Sequence, residues 1–175
     1  MKILQVEDIS KTFNRTGSFF SSKNLNKIPS VDNVSFFINK GETLALVGES
    51  GSGKTTTGNI ILRFIEPDSG KVFFKGENLL DFTQKELKRI RRRMQAIFQD
   101  PYSSLDPMMN VKDIISEPLA VYKYSRSEIN EKLDELITST GLEGSFLSRY
   151  PHEFSGGQRQ RIAIARALEI GRAHV

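Results

Sequence analysis

The sequence predicts an α/β fold: a sheet-and-helix core, an antiparallel β layer ahead of it and an all-helical segment behind. Three observations carry this expectation. A glycine-rich loop, Gly48-Glu49-Ser50-Gly51-Ser52-Gly53-Lys54-Thr55, lies between an apolar run (Thr43-Leu44-Ala45-Leu46-Val47) and a stretch with helical character (Thr56-Thr57-Gly58-Asn59-Ile60-Ile61-Leu62-Arg63). Two loosely alternating apolar stretches precede that loop and read as antiparallel strands. From Asp100 to Tyr150 strand signals vanish and apolar residues recur at helical spacing.

In chain order, residues 3–9 read as a half-buried strand, and residues 14–29 as a Gly/Ser/Asn-rich loop with Phe19-Phe20 as an apolar island. Residues 31–38 resume as strand, and Asn39-Lys40-Gly41-Glu42 turns the chain into the apolar run, expected to be a buried strand. After the helix, Glu66-Pro67-Asp68-Ser69-Gly70 is a turn cluster and Lys71-Val72-Phe73-Phe74 a strand. Thr83 and Glu86 form a capping-box pattern opening a helix that carries Lys85, Lys88, Arg89, Arg91, Arg92 and Arg93. Those cations fit either a nucleic-acid patch or a solvated face. The second is favoured, because no aromatic residues interleave for base stacking. Met94-Gln95-Ala96-Ile97-Phe98 is expected to be another buried strand. Beyond it, Val111, Ile114, Ile115 and Leu119 share one helix face. Ser125 and Glu128 open a helix whose apolar face is Ile129, Leu133, Leu136 and Ile137, with Gly141 placed to end it.

Bulk properties narrow the function classes. The 175 residues suffice for one domain, or a core with a small subdomain. Net charge is +4, which suits an anionic ligand but does not by itself argue for nucleic acid. The absence of cysteine excludes disulfides, thiolate chemistry and cysteine-ligated metals. His152 and His174 cannot form a zinc site without carboxylate help. No apolar run approaches the ~18 residues a membrane-spanning helix needs, and no signal-peptide pattern is present.

The loop is the first chemical site. Glycines allow dihedrals that bring backbone N–H groups against an anion, and the following helix start adds unpaired donors and the positive end of its dipole. In this pattern Lys54 reaches the β- and γ-phosphates of a nucleoside triphosphate, and the Thr55 hydroxyl meets Mg²⁺. The second site is Ser155-Gly156-Gly157-Gln158, which opens a helix with Ile162, Ala165, Ala167 and Leu168 expected to be partly buried. Ser155 and Gln158 alone make an ordinary capping box. Two glycines in the first turn are not explained by a cap, since each costs about 1 kcal/mol against alanine. Bare backbone at a helix start suits an incoming phosphate. One nucleotide rarely needs two such starts from one chain, which hints at a site shared between two subunits.

The phosphate loop, Phe98-Gln99-Asp100 and Phe154-Ser155-Gly156-Gly157-Gln158-Arg159-Gln160-Arg161, in that order, resemble the ABC-transporter ATPase family. The stretches Phe98-Gln99-Asp100-Pro101-Tyr102-Ser103-Ser104-Leu105-Asp106-Pro107 and Tyr150-Pro151-His152-Glu153-Phe154 are similar to the ATPases of oligopeptide and dipeptide importers. The resemblance covers residues 2–168. It implies a P-loop NTPase (RecA-like) core over residues 1–99, a helical subdomain over 100–154 and a signature helix over 155–168. It further implies ATP and Mg²⁺ as ligands. Gly48, Glu49, Ser50, Gly51, Ser52, Gly53, Lys54, Thr55 and Thr56 would bind the triphosphate. Phe13 would stack on adenine, with burial as an ordinary core phenylalanine as the alternative. Gln99 would touch Mg²⁺ and the attacking water. Ser155, Gly156, Gly157 and Gln158 would close on nucleotide held by a second, homologous ATPase subunit. Transmembrane permease subunits would dock on the helical part, an external solute-binding protein would act indirectly, and no nucleic acid would be involved. The implied location is the cytoplasmic face of the membrane, as a peripheral subunit.

The sequence departs from the family's pattern after Leu168. The Mg²⁺-binding aspartate, the catalytic glutamate and the switch histidine that follow in the family are not among the 175 residues. Residues 169–175 instead match the translated start of a common sequencing adapter and are expected to be non-native. The chain on its own is therefore expected to bind ATP weakly and hydrolyse little. Other readings stay open: an importer ATPase for a small solute such as nickel, or a soluble ABC ATPase that does not serve transport.

Overall fold

The computed structural model describes the backbone of residues 1–13, 29–98 and 104–172, and the side chains of those up to 168. It divides into two compact units, residues 1–88 and 89–175.

The first unit is built on an antiparallel sheet of β1 (Lys2–Lys11), β2 (Val31–Asn39), β3 (Ser69–Phe74) and β4 (Glu77–Asn78), in the order β2-β1-β3-β4. Both strands expected ahead of the phosphate loop are present and pair antiparallel, Gln5 opposite Phe37 and Val6 opposite Phe36. On β1, Leu4 and Val6 point into the core with period two, but the next buried residue is Ile9. A β-bulge makes up the odd spacing: the register shifts between Val6 and Ile9, and Asp8 takes φ 46°. Ser35 Oγ holds the bulge by accepting from Asp8 N–H at 2.8 Å and donating to Asp8 Oδ1 at 2.7 Å. Gly70 on β3 faces this kink with φ +96°. Between β2 and β3 lies α1 (Lys54–Ile61), which buries Thr57 and Ile60. The side chain of Arg63 ties the end of α1 to the chain beyond β4, donating to the carbonyls of Leu79 and Phe82 and pairing with Glu66 at 2.8 Å. The unit boundary falls within α2 (Gln84–Ile90), capped as expected by Thr83 and Glu86.

Two expected strands do not form. Residues 43–47 have no strand hydrogen bonding and are exposed throughout, Val47 to 92%. Residues 94–98 likewise lie outside any strand, with Ile97 and Phe98 exposed. The physical reason is common to both. An apolar run of this kind suits a parallel strand covered on both faces, and its backbone bonds must come from strands alongside. No strand among the described residues flanks either run. The basic stretch also breaks in two: α2 ends at Ile90, and residues 91–93 form a separate 3-10 turn.

The second unit is helical, as the change in texture at Asp100 predicts. It contains α3 (Val111–Val121), α4 (Arg126–Thr140) and α5 (Gly156–Arg172). Asn110 caps α3 by accepting from Asp113 N–H at 2.9 Å. The helix runs through Pro118, at the cost of one backbone bond, because Val111, Ile114, Ile115 and Leu119 are all buried. On α4 the Ser125–Glu128 capping box is complete, and Gly141 ends the helix in the left-handed region at φ 66°. One core joins the three helices through Ile114, Ile115, Leu133, Leu136, Phe154 and Ile162. Ala165 is buried as expected, whereas Leu168 is exposed. Arg92 stacks its guanidinium 3.9 Å from the Tyr122 ring centre, so one cation of the basic stretch is engaged within its own unit.

Candidate phosphate-binding site

The loop folds as its residue types require. Gly51 and Gly53 take φ +83° and +89°, conformations that side-chained residues rarely adopt. Gly53 is also the N-cap of α1, and a Cβ there would collide with the Ser30 carbonyl oxygen. No side chain caps this helix, so no side-chain oxygen takes up its first-turn N–H groups. Thr55 is exposed and Thr56 half-buried in that turn. Gly48, Glu49 and Ser50 are exposed, and Ser52 N–H closes the loop's own turn by donating to Glu49 O at 3.2 Å.

Lys54 is folded back over the loop. Its ammonium donates to Gly48 O at 2.8 Å, to Glu49 O at 2.5 Å and to Ser52 Oγ at 3.2 Å. The ammonium is thus held by three oxygens of its own loop. The sequence did not signal this arrangement.

Phe13 is tied to the same loop. It follows the end of β1 and is 47% exposed, so it is not a core phenylalanine, and Lys11 Nζ lies 5.9 Å from its ring centre. Lys11 O accepts from Ser30 N–H at 2.7 Å, and Ser30 in turn backs onto Gly53. Asp68 fastens the strand end through Lys11 and Thr12. From the sequence, Asp68 reads only as part of a turn cluster.

The second glycine-bearing helix start belongs to the other unit. Ser155 and Gln158 form the expected reciprocal cap: Ser155 N–H donates to Gln158 Oε1 at 2.9 Å, and Gln158 N–H to Ser155 Oγ at 3.4 Å. Among the described residues a Cβ on Gly156 or Gly157 would meet nothing within 4 Å, so packing among them does not require either glycine. The approach to this helix is well fixed. Phe154 is buried edge-to-face on Phe146 at 5.2 Å, Arg159 donates to its carbonyl at 3.0 Å, and Arg149 stacks over its ring. Tyr150 N–H donates to Glu153 at 2.6 Å, and this bond foremost holds the Glu153 carboxyl below the usual range. Gln99 lies outside the described residues.

Among the described residues no cluster of three or more His, Asp or Glu side chains could hold a metal ion. The exposed Thr55 hydroxyl beside the loop fits Mg²⁺, a cation that takes few protein ligands and keeps most of its shell as water and phosphate oxygens.

Comparison with known proteins decides the family. Residues 31–172 match the family model for the ABC transporter. The chain belongs to that family. Two relatives from Bacillus subtilis (strain 168) are the oligopeptide transport ATP-binding proteins AppF, 45% identical over 96% of this chain and 51% of its own length, and OppF, 52% identical over 82% and 48%. The OppF of Streptococcus mutans (strain UA159) is 46% identical over 97% and 53%. This ABC chain therefore spans about half the length of the curated relatives it matches. Among solved structures, the dimeric ATP-binding cassette MJ0796 bound to ADP and Pi superposes with a TM-score of 0.79 at 31% identity, over 95% of this chain and 69% of that one. The cbiO1 of Clostridium perfringens, part of the ABC transporter complex cbiONQ, gives 0.78 at 26% identity, over 97% and 62%.

Proposed function

We propose that the chain is the ATP-binding part of an ABC importer subunit that couples ATP binding and hydrolysis to uptake of oligopeptides or dipeptides. The observation that carries this reading is the uncapped helix start at Gly53, with the Lys54 ammonium aimed into the loop beside it. Arriving phosphates replace the carbonyls of Gly48 and Glu49 as acceptors for Lys54 and take up the first-turn N–H groups. Thr55 and Gln99 are the residues of this chain that would hold Mg²⁺, which supplies charge neutralisation at the phosphates. Phe13 stacks on the adenine, within the same unit as the loop.

Ser155, Gly156, Gly157 and Gln158 close on nucleotide bound at Lys54 of a second, homologous subunit. The support is that the two glycines answer no packing need among the described residues, and that MJ0796, a bacterial ABC transporter cassette of similar fold, is dimeric. The names of the relatives support peptides as cargo. Among the described residues no helix is long and apolar enough to cross a membrane. A permease supplies the translocation path and the chain works as a peripheral subunit at the cytoplasmic face; the support is the relatives' names as transport ATP-binding proteins. Domain limits follow the same reading: core 1–99, helical subdomain 100–154 and signature helix 155–168.

On its own the chain binds ATP weakly and turns it over little, because residues 43–47 leave the loop without a braced strand behind it. Calorimetric titration of the purified chain with MgATP, beside the Lys54→Ala variant and a phosphate-release assay, tests this. Weak binding lost in Lys54→Ala, with negligible release, is the expected result. Binding indifferent to Lys54 would sink the assignment of the loop, and Lys54-dependent turnover matching a full-length relative would sink the claim of low activity.

A further inference from the structure

Asp68 makes three bonds to the end of β1 and the residue that follows it. Its N–H donates to Ser10 O at 2.8 Å, its Oδ1 accepts from Lys11 Nζ at 2.8 Å, and its Oδ2 accepts from Thr12 N–H at 2.8 Å. The next residue is Phe13, with its ring half out in solvent. A surface ion pair alone would engage one carboxylate oxygen and leave the backbone free. Here both oxygens are used, and one holds the N–H of Thr12, the residue immediately before the aromatic one.

We propose that Asp68 is a positioning residue for Phe13. It fixes the end of β1 so that the ring meets a nucleobase at a constant distance from the phosphate loop. The inference rests on the reading of Phe13 as the base-stacking ring. Its second support is the path from that strand end to the loop. Lys11, clamped by Asp68 through its ammonium, accepts through its carbonyl from Ser30 N–H, and the Ser30 carbonyl abuts Gly53. The carboxylate therefore sits at one end of a chain of direct contacts whose other end is the helix start. Loss of the carboxylate frees the Lys11–Thr12 peptide, one residue before Phe13, and lets the ring sample orientations that cannot stack, while Gly53 and Lys54 stay where α1 holds them.

The test is titration of the full 175-residue chain with ATP and with inorganic tripolyphosphate, which has the charge but no base. The chains compared are wild type, Phe13→Ala, Asp68→Ala and the double variant. Each single variant is expected to weaken ATP roughly tenfold, the scale of one base–aromatic stack. Tripolyphosphate affinity is expected to stay unchanged, and the double variant to fall within about twofold of either single, as coupled residues do. Full ATP affinity in Asp68→Ala beside a loss in Phe13→Ala would overturn the role of Asp68 and leave that of Phe13 intact. No loss in Phe13→Ala, or a wild type that takes ATP no more tightly than tripolyphosphate, would overturn the stacking reading and this proposal with it. Equal losses for both ligands would assign Asp68 to the fold alone. Amide exchange gives a ligand-free check: Thr12 should exchange faster in Asp68→Ala while 54–57 do not, and unchanged exchange at Thr12 would overturn the proposal.

Discussion

Gly70 runs so close to Asp8 that a Cβ on the glycine would stand 2.6 Å from the Asp8 carbonyl oxygen. The two residues face each other where β1 bulges, and the kink that sets Ile9 into the core is also what brings the carbonyls of Glu7 and Asp8 against β3. Gly70→Ala would add a side chain where φ is +96° and where the neighbouring atoms are backbone, which cannot yield. The expected cost is about 2 kcal/mol or more, measured as a lower urea midpoint. An unchanged midpoint would show that the sheet absorbs the clash by moving β3.

Replacing Gly157 should separate folding from function. Because a Cβ there meets nothing within 4 Å, Gly157→Ala should raise the thermal midpoint by the helix-propensity gain, up to about 1 kcal/mol. In a full-length relative carrying the same change, ATP-dependent pairing of subunits should fall, as read by light scattering. Pairing that survives would remove the case for a phosphate approaching this helix start.

Acid should loosen the helical unit through two carboxylates. Glu128 is held below the ordinary 4.5, mainly by the Ser125 hydroxyl and then by its N–H, and Glu153 chiefly by Tyr150 N–H. Both folded values are depressed. Their stabilisation is therefore present above 4.5 and disappears as pH falls through the lower, folded-state values. Helix content followed from pH 7 to pH 2 should drop in that acid window, and Glu128→Gln with Glu153→Gln should flatten the dependence. A curve that the double variant leaves unaltered would place the acid sensitivity elsewhere.

Ile114 is 1% exposed in the core shared by α3, α4 and α5. Ile114→Ala should cost about 2–5 kcal/mol in chemical unfolding of the helical unit. A loss under about 1 kcal/mol would mean that the three helices close readily over the lost side chain.

The helical unit was readable because its signals are local. Ser125 with Glu128, Gly141, and the stripe of Ile129, Leu133, Leu136 and Ile137 each lie within one or two turns of what they determine. The loop from Gly48 to Lys54 was readable for the same reason, since its glycines fix their own dihedrals. Apolar composition at 43–47 and 94–98 shows only that these segments suit a core. Whether they become strands depends on neighbours that composition does not reveal. The bulge at Asp8, the clamp from Asp68 to Thr12 and the return of Lys54 onto its own loop were equally out of reach. Each joins residues through tertiary contact or side-chain rotation, for which no spacing rule exists.

The exposed run Thr43-Leu44-Ala45-Leu46-Val47 has a consequence for the chain in solution. It is β-prone, uncharged and free of proline and glycine, and its backbone donors and acceptors are bonded to no strand. Such a segment templates intermolecular pairing with any chain that presents the same edge. Self-association should therefore rise steeply with protein concentration. The segment placed directly before the nucleotide loop should then also be the one through which copies of the chain associate.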